Sequence, residues 1–565
     1  MTNPKEDYTS RGWLVASATL LILFIVSLIP PISAGGIELR RASILSDLVR
    51  FDDGESKTES EPQPEINVAE FEVDLEAVAE QVAKTRALAS PTGSATSASW
   101  EGIFEEQPSG GEEFVEDQEP LPSLEELPTT DYSAILPEAS LITPIEIFAH
   151  EGMGAWDRLY EKLLWNKEQV RVAFMGDSFV EGDILTADLR ELLQDTFHGG
   201  GVGFAPVASP FTGFRQTIKT TSKGWTPYNI MQRKSAPAPY ADDFFVSGWV
   251  AKASAGASTR WDMTTKRRHL EEVERARLLF ICRQRAEIGL KLNDGEERIF
   301  FFEGDEVVRQ IVVEQEQIRS LEMTILSGAE TFTGIGAEFD SKKGVAVDNF
   351  SIRSNNGQAM FWSNASVNSQ INTMRPYDLV ILQYGLNIMQ AERHNYSLYG
   401  EQVEKMISYV ESCFPGAAVL VMGVSDRSQK GEDGIKPMES AKSLTQSQRE
   451  ASQNKGVAFW DTYAAMQRMG GMTEFVTNGW AGKDYTHINY AGGARIAREL
   501  YYAILKGAEE YCIKLRDRIE RSKPILNKEL EIAPIEHKPL VEDMLERDTI
   551  MIKPLETPGS DPVSI

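Results

Sequence analysis

The sequence predicts an α/β protein in which a parallel sheet flanked by helices is interrupted by an antiparallel β-sandwich of jelly-roll type. The whole follows one transmembrane helix and a disordered acidic linker. Three observations predict this class. Short continuous apolar runs (170–176, 379–382, 418–422 and 457–460) alternate with segments of helical periodicity, the pattern of a parallel sheet covered on both faces. From 216 to 345 the helical periodicity gives way to closely spaced strands, with an Asn293-Asp294-Gly295 turn among them, as in a sandwich or jelly roll. Residues 13–32 form an uncharged apolar run, the length one helix needs to cross a bilayer.

Taken from the amino end, residues 1–12 are expected to be a short cytoplasmic segment and 13–34 an uncleaved signal anchor. A cleaved signal peptide is the competing reading, but the apolar core is long for one and Ile32 stands where cleavage motifs carry a small residue. Residues 35–140 read as a solvated linker. Between positions 51 and 140, 23 Asp and Glu face three Lys and Arg, most of the net charge of −28, and such a composition buries too little surface to offset chain entropy. The acidic balance and the lack of a concentrated basic surface argue against nucleic acid as a partner. Cys282, Cys413 and Cys512 are far apart and odd in number, so they read as small buried hydrophobes, with neither disulfide framework nor zinc site.

The α/β domain is expected in two pieces, 141–215 and 346–522, around the insert at 216–345, with a loose tail at 523–565. The run VRVAFMG closes on Gly176 and leads through DSFVEGD into a helix whose Leu185, Leu189, Leu192, Leu193 and Phe197 share one face. Ser178 therefore stands between strand and helix, where turn amides face an oxyanion. In DYTH, 484–487, Asp484 precedes His487 by three residues, which lets the carboxylate fold back onto Nδ1 and fix the tautomer whose Nε2 accepts a proton. In QYGLN, 383–387, Asn387 offers an amide donor at the strand end where open α/β sheets bind ligands.

These three blocks, GDS, G-x-N and D-x-x-H in that order, resemble the SGNH (GDSL-type) hydrolase family. The resemblance implies a three-layer SGNH fold and a serine esterase with Ser178 as nucleophile, His487 as base and Asp484 as its orienting partner. The implied oxyanion hole comprises the Ser178 amide, a glycine amide and the Asn387 side chain; Gly357 best fits the glycine, with Gly203 as the alternative. No metal or other cofactor is implied. The remaining histidines, His150, His198, His269, His394 and His537, lack ligand spacing. Asp177 reads as a turn-fixing residue, Asp183 as an amino-terminal helix cap, and Lys266, Arg267 and Arg268 as a solvated face.

Membrane tether, GDS-x-x-x-GD block and β insert together are similar to bacterial peptidoglycan O-acetylesterases with an inserted carbohydrate-binding-like module, although Phe179 replaces the His common there. That likeness implies O-acetyl removal from cell-wall glycan and a single-pass inner-membrane protein with its catalytic domain in the periplasm or outside the cell. Trp225, Tyr228 and Trp261 are the insert's candidate sugar contacts, with core packing as the other reading. Two other functions stay open. One is an O-acetyltransferase for an exported polysaccharide, served by a membrane acyl-transfer partner; the other is a non-catalytic wall-binding protein.

Overall fold

The structure, a computed structural model, describes residues 33–34, 37–38, 74–88, 127–128, 131–149, 154–431, 434–529 and 549–552. The chain divides into two units, 1–65 and 66–565. In the first, Ser33–Ala34 pairs antiparallel with Ile37–Glu38. The expected membrane helix lies, apart from residues 33–34, outside the described residues; no described helix is long and apolar enough to cross a membrane.

In the second unit a six-stranded sheet is built from β1 (Ile145–Ile147), β2 (Gln169–Gly176), β3 (Gly344–Ser351), β4 (Leu379–Gln383), β5 (Ala418–Met422) and β6 (Ala458–Trp460), in the order β3-β2-β4-β5-β6-β1. All neighbours are parallel except β6 and β1. The sheet is therefore mixed where a purely parallel one was expected, because β1 returns along the far edge. Every residue of β4 and β5 is buried, which explains their unbroken apolar sequence. Helices α2 (Ala155–Trp165), α3 (Thr186–Phe197), α4 (Ala365–Met374), α5 (Ser397–Cys413), α6 (Ser440–Lys455) and α7 (Tyr490–Glu529) accompany it.

A further helix, α1 (Leu75–Leu88), falls inside the span expected to be a disordered linker. It is anchored on α4 by Gln81 Nε2 to Asn364 Oδ1 (3.1 Å) and by Thr85 Oγ to Ser366 Oγ (2.8 Å), and Val82 is buried with the α/β core. In LEAVAEQVAKTRAL the face carrying Val78, Val82 and Thr85 recurs at helical spacing, and this small apolar stripe overrides the acidic composition around it.

The insert is a curled antiparallel sheet around its own apolar cluster, which includes Trp261, Phe280, Ile288, Phe332 and Phe339. Its strands join through branches into one hydrogen-bonded sheet, not two separate sandwich layers. It also begins earlier than residue 216: Gly203–Pro206 pairs antiparallel with Phe332–Asp340. Thr549–Ile552, within the expected loose tail, adds a parallel strand to Arg309–Ile318.

A buried polar network fastens the insert to the sheet. Arg171, central on β2 and 1% exposed, donates to Arg375 O (2.8 Å) and to Asp348 Oδ2 on β3 (2.8 Å), pairs with Glu338 of the insert and lies 4.1 Å over the Tyr377 ring. Asp348 also accepts from the Phe204 amide of the insert's first strand (2.8 Å) and from the Tyr377 hydroxyl (2.7 Å). Charges this deep are tolerated only when matched. Of the run Lys266, Arg267 and Arg268, Lys266 and Arg268 are exposed as expected, while Arg267 is half-buried and bonds Asp188 (3.0 Å); Arg268 also bonds Glu191 (2.9 Å) and the adjoining His269 bonds Asp195 (2.8 Å), all three acceptors on α3.

Arg171→Leu should leave Glu338 and Asp348 without their common counter-charge and lower the unfolding free energy by about 3–5 kcal/mol. Urea unfolding of the variant checks this; a loss below about 1 kcal/mol would show that the network does not fasten the two domains.

Candidate active site

The turn that carries Ser178 starts from a glycine with no room for a side chain. A Cβ on Gly176 would collide with the Val180 side chain and crowd Gln383. Asp177, next in line, is fully buried: Oδ1 accepts from the Phe179 amide (2.9 Å) and Oδ2 from Asn387 Nδ2 (3.1 Å). It fixes the turn, as expected, and also reaches across to the β4 loop. Burial pushes its carboxyl up to about 7, against the hydrogen bond from Phe179 and with the help of the Glu181 charge. Phe179 is wholly buried in the core, so the side chain that replaces the expected His serves packing.

Ser178 Oγ lies 3.1 Å from His487 Nε2, and His487 Nδ1 lies 2.7 Å from Asp484 Oδ2. With Nδ1–H donated to the carboxylate, the Nε2 lone pair is left facing the serine hydroxyl. The structure thus brings together the three residues singled out from blocks more than 300 positions apart. Asp484 is itself held by the amides of Thr486 and His487, both 3.1 Å from Oδ1. Its partial burial alone would raise the carboxyl, but hydrogen bonds from the His487 ring and from those amides bring it below its usual value. Tyr485 takes a positive φ of 56° inside this turn, and its carbonyl accepts from the Ser428 amide (3.1 Å).

The following Asn-Tyr-Ala-Gly-Gly, 489–493, explains how the His487 arm reaches Ser178. Asn489 Oδ1 accepts from the amides of Ala491 (3.0 Å) and Gly492 (3.2 Å), opening α7. Side chains on Gly492 and Gly493 would strike the carbonyls of Trp480 and Ile184, so only glycine lets α7 approach the loop after Ser178.

The expected oxyanion donors divide. Among the described residues the Ser178 amide has no acceptor. Asn387 reaches the same turn through Asp177, its Nδ2 donating there (3.1 Å) and to Asn355 O (2.9 Å), which uses both of its N–H groups. Gly357 is different: its amide already donates to Asn355 Oδ1 (2.9 Å). Its glycine identity has another cause, a φ of 104° and a position where a Cβ would meet the Met406 sulfur. Gly203 belongs to the insert's ladder opposite Phe339. Sequence reasoning missed Asn355, which is wholly buried, organises both Gly357 and Asn387, and has an Nδ2 without a partner among the described residues. Only an Asn two residues before a glycine signals it.

Asp183 is not a helix cap. At a φ of 66° and 1% exposed, it accepts from Thr186 Oγ (2.7 Å), Asn349 Nδ2 (2.9 Å), Arg215 Nε (2.7 Å) and the Thr217 hydroxyl, with Arg190 3.5 Å away. Burial would raise its carboxyl, but the Arg215 and Arg190 charges outweigh this and hold it far below the usual range. The insert's three candidate sugar contacts point elsewhere. Trp261 is wholly buried, Trp225 packs on Phe332 (6.1 Å between centroids) and Tyr228 on Tyr240 (5.9 Å). All three cysteines are buried. His150 and His537 lie outside the described residues.

No family model and no curated protein sequence matches this chain. Among solved structures it is similar to a peptidoglycan O-acetylesterase at 19% identity and a TM-score of 0.53, over 65% of this chain and 99% of that one. It is also similar to a lipase/acylhydrolase from Enterococcus faecalis (21% identity, TM-score 0.21, 28% of this chain and 76% of that one). A family two carbohydrate esterase from Cellvibrio japonicus matches at 8% identity and a TM-score of 0.22, over 52% of this chain and 98% of that one. The first likeness, which spans nearly the whole of that O-acetylesterase, shows the fold.

Asp177 gives a pH test of the turn. Its folded pKa of about 7 exceeds the ordinary 3.8, so the folded state holds this proton more tightly. The stability it contributes is full below about pH 4 and is lost as pH rises to about 7, by about 4 kcal/mol in all. Relative to the wild type, Asp177→Asn should therefore become more stable as pH is raised across that window. Denaturant unfolding at pH 4, 5.5 and 7 reads the difference; parallel profiles would contradict the buried carboxyl.

Proposed function

We propose that this chain is a membrane-anchored serine esterase of the SGNH type that removes O-acetyl groups from cell-wall glycan, with Ser178 as nucleophile, His487 as base and Asp484 as the base's orienting partner. The observation that carries the reading is the relay of 3.1 Å from Ser178 Oγ to His487 Nε2 and 2.7 Å from His487 Nδ1 to Asp484 Oδ2. Its support for a glycan ester comes from the fold shared with a solved peptidoglycan O-acetylesterase.

In this reading His487 Nε2 takes the Ser178 proton as Oγ adds to the acetyl carbonyl. Asp484 stabilises the imidazolium that results. The Ser178 amide receives the developing oxyanion, and Asn387 adds a second donor by releasing one of its two Nδ2 bonds, to Asp177 or to Asn355 O. The tetrahedral intermediate then breaks its C–O bond to the sugar as His487 protonates the departing oxygen, which frees the sugar hydroxyl and leaves an acetyl ester on Ser178. Water, deprotonated by the same imidazole, adds to that ester, and as the acyl–Oγ bond breaks the imidazolium returns the proton to Ser178 Oγ and acetate is released. Residues 13–34 anchor the protein in the inner membrane, with the catalytic domain on the outer side.

The test is acetate released from O-acetylated peptidoglycan by the full-length protein. Wild type should release it, and Ser178→Ala and His487→Ala should each lower turnover by about 10⁴ or more. Asp484→Asn, which loses the ionised acceptor for Nδ1–H, should lower it by about 10³–10⁴. Equal release by wild type and Ser178→Ala would overturn the proposal.

A further inference from the structure

A cleft opens between the nucleophile loop and the insert, lined among others by Glu181, Phe211, Arg215, Ser247, Trp249 and Ser351. Three links place it beside the proposed catalytic centre. Glu181 follows Ser178 by three residues. Ser351 sits opposite Gly176 in the register of β3 on β2. Tyr490, three residues past His487, puts its hydroxyl 2.8 Å from Gly182 O and 3.2 Å from Phe214 O, tying the cleft's aromatic loop to the arm that carries the base.

The lining is aromatic and hydroxylic without free charge. Phe211 and Trp249 meet edge to face at 6.0 Å, and Phe214, 71% exposed, extends the aromatic rim 6.4 Å from Phe211. Phe211, 38% exposed, and Phe214 thus form a contiguous apolar patch at the cleft's rim. Ser247 is 4% exposed, yet its hydroxyl has no hydrogen-bond partner among the described residues, and a buried hydroxyl left unmatched costs free energy that a ligand hydroxyl recovers. The charged groups are already occupied. Arg215 donates to Asp183 Oδ2 (2.7 Å), Phe204 O (2.6 Å) and Val202 O (3.3 Å), and Glu181 pairs with Arg353 (2.9 Å). An anion therefore finds no free cation, while a neutral ring with an apolar face and hydroxyl edges finds both of its surfaces matched.

We infer that this cleft is a sugar subsite: it seats a pyranose ring of the glycan chain next to the acetylated residue, stacked on Phe211 and Trp249 with a hydroxyl bonded to Ser247. The inference rests on the esterase reading and adds where the chain runs, along the seam between the two domains and away from Trp225, Tyr228 and Trp261. It makes the seam, not the insert's outer surface, the determinant of polymer specificity.

The experiment compares full-length wild type, Phe211→Ala, Trp249→Ala and Phe214→Ala on two substrates, O-acetylated glycan oligosaccharide and 4-nitrophenyl acetate. Expected is a fall of about tenfold or more in kcat/KM on the oligosaccharide, carried mainly by KM, with 4-nitrophenyl acetate turned over within about twofold of wild type. Phe214 is exposed, so its variant reports without disturbing packing. Equal falls on both substrates, unchanged oligosaccharide kinetics in all three variants, or a Phe211-dependent preference for long-chain acyl esters would overturn the subsite. If wild type cleaves neither substrate, the esterase reading fails. The cleft is then judged by calorimetric binding of the oligosaccharide to Ser178→Ala: loss of binding on adding Phe211→Ala upholds it, and unchanged binding overturns it.

Discussion

An ionised carboxylate sealed from water must be matched donor for donor, and Asp183 meets that demand from three separate segments. Thr186 and Arg190 come from α3, Asn349 from β3, and Arg215 and Thr217 from the chain that leads into the insert. Because Asp183 ends the turn that begins at Ser178, matching it fixes several things together: the exit of the Ser178 loop, the start of the following helix, and the approach of the insert. The cleft described above is the space left where these segments converge.

The second hub repeats the logic at the insert's root. Asp348 and Asn349 are adjacent on β3, and their side chains serve the two networks separately, Asp348 with Arg171, Phe204 and Tyr377, Asn349 with Asp183. One strand at the sheet edge therefore holds both the insert and the loop that carries Ser178. An insertion tolerated at a surface loop has become part of the site's frame, and the insert needs no outward-facing aromatic patch to bear on substrate choice.

Much of this was legible in the sequence where the cause is local. The strands β2, β4, β5 and β6 announce themselves because both faces are covered, and GDS and D-x-x-H carry their geometry within a few residues. What was not legible depends on distant partners. Asp183 reads as a cap because its neighbours suit one, while the arginines that claim it lie at 190 and 215. Gly357 was selected for its amide, but its conformation and contact with Met406 explain the glycine, and Asn355 already takes that amide. Trp225 and Trp261 looked available in a strand pattern that cannot tell which face of a curled sheet turns inward. The helix α1 was hidden by the charge of the segment around it, since composition averages over a docking face only four residues in period.

The central claim, that Ser178 is a nucleophile activated through His487, is tested most directly by treating the full-length protein with a serine-reactive phosphonate and mapping the adduct by mass spectrometry. Expected is one stoichiometric adduct on the peptide carrying Ser178, absent when His487 is replaced by Ala. An unmodified Ser178, or labelling that survives the loss of His487, would contradict the account.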